Sequence, residues 1–133
     1  MKSIIINYLL TTIVFLIVDM AWLGLIAKNL YQKYLGDFLT DKVNWTAALI
    51  FYLIYVVGVS IFVIYPSVNK NSVFNAILMG GLFGFFAYAT YDLTNLATLK
   101  GWPLPIVFID IAWGVVLTAI VSLSGFYIAK LVS

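Results

Sequence analysis

Residues 80–95 read GGLFGFFAYATYDLTN, and this stretch decides the fold. It lies inside a longer apolar run, 73–99, whose one formal charge is Asp92. About 20 apolar residues cross a bilayer as a helix, so the run predicts a membrane span. On a helix, Gly80, Gly84, Tyr88, Tyr91, Asp92 and Asn95 share one face. The first half of that face is small and the second half is polar. Gly80 and Gly84 form a G-x-x-x-G, which lets a second helix come close in lipid. Asp92 is a carboxylate where a charge is expensive, so it requires a partner, a proton or water.

Three further runs match the first in length. The spans are expected at 4–27, 44–65, 73–99 and 105–131. Pro66 and the polar run 67–72 separate the second from the third, and Gly101, Trp102, Pro103 and Pro105 separate the third from the fourth. Leu30, Tyr31, Tyr34, Leu35, Phe38 and Leu39 recur at helical spacing between the first two spans. They predict a short amphipathic helix over 28–40, lying in the membrane interface. The expected fold is therefore all-α: one transmembrane domain over 1–133, a four-helix bundle with an interfacial helix after the first span. Close approach is expected at Gly80, Gly84 and Gly114.

Composition supports lipid as the solvent. Of 133 residues, 65% are hydrophobic and 9% charged, against roughly 25% charged in a soluble domain. The charges are seven Lys and five Asp, with no Arg, Glu, His or Cys. Disulfides and thiolate metal sites are thereby excluded, and the usual neutral-pH proton shuttle is missing. A net charge of +2, scattered along the chain, does not suit nucleic acid. The first run follows Lys2 and continues through Asp19 to Ala27 without an A-x-A-like site, so it is read as a retained span. Counting Lys by loop comes out nearly even. The expectation taken is a bacterial inner-membrane protein with both termini in the cytoplasm.

Asp19, Asp92 and Asp110 lie near the ends of their spans. Because successive helices alternate in direction, all three point toward the face that carries the first and third loops, roughly 7–12 Å inside it. Asn44 starts the second span on that side, and Asn95 lies one turn beyond Asp92. The first span carries Asp19-Met20-Ala21-Trp22 and the fourth Asp110-Ile111-Ala112-Trp113. This D-x-A-W puts a Trp one turn from each acid. One polar pocket is expected, with Asp92 central, Asp19 and Asp110 flanking it, and Trp22, Trp113, Tyr88 and Tyr91 as aromatic walls. Trp102 and the interfacial helix are expected to cover it.

Such a pocket suits a small amphipathic or cationic solute, bound through charge pairing and cation–π attraction, with proton exchange at the acids. The same acids also suit a membrane enzyme that gives and takes protons on a lipid or isoprenoid. A third reading is a structural or accessory subunit, whose acids accept hydrogen bonds across helices. No cofactor or metal is expected. The partners expected are the lipid bilayer, an amphipathic or cationic ligand or lipid, and a second copy of the chain.

The run AYATYDLTNLATLKGWP, with DMAWLG upstream, NWTAALIFYLIYVVG in the second span and DIAWG in the fourth, resembles the DUF2177 family of small predicted membrane proteins. The motif positions are Asp19, Trp22, Asn44, Trp45, Tyr91, Asp92, Asn95, Trp102, Asp110 and Trp113. The resemblance implies a bacterial multi-span membrane protein and supplies no mechanism.

Overall fold

The structure, a computed structural model, describes residues 2–133. Four helices in it are long and apolar enough to cross a membrane: Lys2–Ile26, Trp45–Asn69, Val73–Thr98 and Leu104–Val132. They are referred to below as the first to fourth spans. A short helix, Lys28–Leu35, follows the first span. The protein is an all-α membrane bundle.

Two spans contain a wide π turn, where an extra residue is inserted into the helical ladder. In the first span this is Trp22–Ile26, closed by the Ala27 N–H on the Trp22 carbonyl at 2.7 Å. In the second it is Ser60–Ile64. The sequence reading ends the second span at 65, before Pro66, yet the helix runs on through Asn69. Pro66 lacks an N–H and crowds the preceding turn. The wide turn just before it carries the helix past that gap.

The short helix is also shorter than expected, ending at Leu35 rather than 40. Residues 36–38 form a turn, and Phe38 and Leu39 are exposed. The apolar face of the helix packs on protein. Leu30, Tyr31, Tyr34 and Leu35 cluster with Trp102, Ile106 and Val107 at the start of the fourth span.

The third and fourth spans pack along their length through a seam of small residues. A Cβ added at Gly84 would strike the Gly114 carbonyl, and one at Gly80 would strike Ser122 and the Thr118 carbonyl. The two helices therefore approach backbone to backbone, as the G-x-x-x-G predicts. Beside the seam lies an apolar core of Phe15, Val56, Val59, Val63, Ile64, Leu117 and Val121. Phe15 of the first span meets the rings of Tyr52 and Tyr55 edge-on, with centroids 5.2 and 5.3 Å apart.

Polar groups tie the end that carries the second loop. Asn75 Nδ2 donates to Ser67 Oγ at 2.8 Å, and Ser67 donates to the Val63 carbonyl at 2.7 Å. Thr11 donates to Asn7 Oδ1 at 3.0 Å, and Asn7 Nδ2 reaches the Tyr65 hydroxyl at 3.3 Å. The two that cross between spans, Asn75 to Ser67 and Asn7 to Tyr65, are worth about 0.6–2 kcal/mol each in lipid.

Candidate functional site

A cavity of about 510 Å³ occupies the opposite end of the bundle. That volume falls within the range of small-molecule sites, roughly 300–1,000 Å³. Every span contributes to its wall, as do the short helix and the third loop. Nine of its fourteen lining residues are aromatic: Trp22, Tyr31, Phe51, Tyr52, Tyr55, Tyr88, Tyr91, Trp102 and Trp113. Asp19 and Asp110 supply the acid, and no Lys lines it.

The two D-x-A-W elements serve each other. Trp113, on the fourth span, donates its indole N–H to Asp19 on the first at 3.3 Å. Trp22, on the first, donates to the Tyr31 hydroxyl at 3.2 Å, and Tyr31 donates to Asp110 on the fourth at 2.5 Å. Between them the two indoles stack, with centroids 4.3 Å apart and planes 9° from parallel. The antiparallel packing of the two helices produces this exchange, because each Trp points toward the partner helix at the level of the partner's acid.

Asp19 is the better supported of the two acids lining the cavity. Besides Trp113 it accepts from the Tyr52 hydroxyl at 2.6 Å, so one carboxylate links the first, second and fourth spans. Such charge-assisted bonds are stronger than neutral ones. Asp110 accepts from Tyr31, whose helix is folded back by the wide turn at Trp22–Ile26. Burial, then the bond to Asp110, pushes the Tyr31 phenol above its ordinary titration range, so it keeps its proton and acts as donor.

Of the residues expected in the pocket, Asp19, Asp110, Trp22, Trp113, Tyr88 and Tyr91 line it. Asp92 does not. It lies behind the wall, fully buried, with Asp110 and Trp102 as its polar neighbours. Asp110, not Asp92, is thus the acid within electrostatic reach of both others. Asn44 is exposed and caps the second span, accepting from the Ala47 N–H at 3.1 Å. A cap side chain turns to its own helix's free N–H groups, which takes it away from the cavity. Asn95 is half-buried and outside the lining.

Several lining residues were not picked out as site residues: Tyr31, Tyr52, Tyr55 and Phe51. A signal for Tyr52 was present. Stepping from Asn44 by four residues reaches Ala48 and then Tyr52, on one helix face. Trp102 is nine-tenths buried, packs with Leu35 of the short helix, and lines the cavity together with it.

The side of the cavity is less closed. The second span meets the third through its wide turn Ser60–Ile64 and through Tyr55, whose ring lies edge-on to Phe83 and Tyr88. Beyond Tyr55 the two helices part. Phe51 and Tyr91, both about half exposed, stand on either side of the gap.

These features define a multi-span membrane protein whose four spans enclose an acidic, aromatic cavity at one end. The chain belongs to the family described as a predicted membrane protein, DUF2177, whose model matches residues 4–127 of the 133. Neither a curated protein nor a solved structure matches it.

Proposed function

We propose that this protein binds, and carries across or within the membrane, a small amphipathic organic cation. One observation carries the reading: two carboxylates stand among nine aromatic side chains with no Lys in the wall. Ring faces attract a cation by about 0.5–2 kcal/mol each, more where water is excluded. Asp19 already holds two hydrogen bonds, so Asp110, with one, is the acid to pair with the ligand. The gap between Phe51 and Tyr91 gives an apolar tail a way in from the lipid side.

Thermal unfolding of the detergent-purified protein tests this. Tetraphenylphosphonium and dodecyltrimethylammonium should raise the melting temperature, and Asp110→Asn should abolish the rise. An uncharged analogue of the same shape stabilising the protein equally would remove the charge from the account.

The same side opening also favours a second reading, a membrane enzyme acting on a lipid or isoprenoid held in the cavity. Tyr31 and Asp110, 2.5 Å apart, would then be the pair that moves a proton. Stabilisation by a neutral isoprenoid alcohol, and not by the cations, would favour it.

A further inference from the structure

Asp92 is fully buried, and neither of its carboxyl oxygens has a hydrogen-bond partner. The indole N–H of Trp102 beside it is buried and unpartnered too. Unsatisfied groups of this kind are rare in folded proteins and call for an explanation. The ionisable groups that face Asp92 are Asp110 from the fourth span, Tyr31 from the short helix and Tyr91 from its own span. Asp19 of the first span and Tyr88 of the third lie within electrostatic reach of Asp110, as Tyr55 of the second span does of Asp19, and Tyr52 donates to Asp19. None of these groups is a cation.

Two ionised carboxylates side by side in such a place would both lose water and repel each other. A single proton between them removes one charge and supplies the missing bond, because the O–H of one acid donates to the other. We propose that Asp92, behind the cavity wall, and Asp110, in it, form a proton site that holds one proton between the two carboxyls. When the organic cation pairs with Asp110, that proton leaves to water. One O–H bond breaks, no electrons move, and the charge of the pair plus its occupant is unchanged. The release step rests on the cation reading above, whereas the proton site itself does not.

Infrared spectroscopy of the purified full chain at neutral pH tests the site without any ligand. The C=O stretch of a protonated carboxyl should be present, disappear in Asp92→Asn and remain in Asp19→Asn. Absence of the band from wild type, or its survival in Asp92→Asn, overturns the site. The exchange is tested with tetraphenylphosphonium in weakly buffered solution. Wild type should release a proton as the cation binds, and its affinity should strengthen roughly tenfold per pH unit where the proton is displaced. In Asp92→Asn the release should vanish and binding should become independent of pH. A pH slope that persists in Asp92→Asn overturns the exchange. If the cation fails to bind wild type at all, the cation reading falls, and the infrared result still decides the proton site.

Discussion

From Gly84 toward the second loop, the bundle is assembled from small and short polar residues. Gly80 lies on Ser122, Gly125 on Ile64 and Thr11, and Asn75 on Ser67. Away from Gly84, toward the first and third loops, aromatic side chains and acids replace them and the helices part around a cavity. Small residues let backbones meet and gain dispersion contacts, which is what drives helix association where lipid is as apolar as Leu. Bulky rings hold helices apart, so the cavity end relies on hydrogen bonds through a few acids. One end closes helix on helix, and the other leaves a volume between the helices unfilled.

The hardest test of that contrast is at the seam. Gly84→Val should cost about 3 kcal/mol or more, because its side chain would overlap the Gly114 backbone. Gly24→Ala, with no atom within 4 Å of the new carbon, should leave unfolding in detergent nearly unchanged. Equal effects at the two sites would break the comparison.

Tyr52→Phe is expected to be next, at about 1–2 kcal/mol, since it takes one of two donors from Asp19. The same melting assay should show the loss, and ligand stabilisation should persist. At the second-loop end, Ser67→Ala leaves Asn75 without its partner, and about 0.5–1.5 kcal/mol should be lost. The smallest effect is expected at Asp92→Asn. An Asn amide can donate to Asp110 in place of the shared proton, so stability should stay within about 0.5 kcal/mol of wild type or rise. A large loss at Asp92 would make that acid a structural tie like Asp19.

Much of this architecture could be read from local pattern. Run length and missing charge marked the four spans, and Gly80 and Gly84 marked the seam, because both are properties of a single helix. Alternating direction was enough to bring Asp19, Asp92 and Asp110 to one end. The partners of each acid were not legible, since they depend on how far each helix is rotated about its axis. Each wide turn inserts a residue and changes that rotation, and no local signal announced Trp22–Ile26 or Ser60–Ile64. Hence Tyr31 reaches Asp110 from the short helix; the third span has no wide turn, and it is its packing through Gly80 and Gly84 on the fourth that leaves Asp92 behind the wall. Asn44 was placed at the right end of the bundle, but its local task as a cap decided where its side chain went.

The stacked pair Trp22 and Trp113 has an optical consequence. Two indoles 4.3 Å apart and nearly parallel share their excitation, giving an exciton signature in circular dichroism and a depressed fluorescence. They sit in the cavity wall, whereas Trp45 is exposed at the start of the second span. The chain therefore carries a built-in reporter. Any molecule that wedges between the first and fourth spans will part the two rings and change the emitted light, with no label attached.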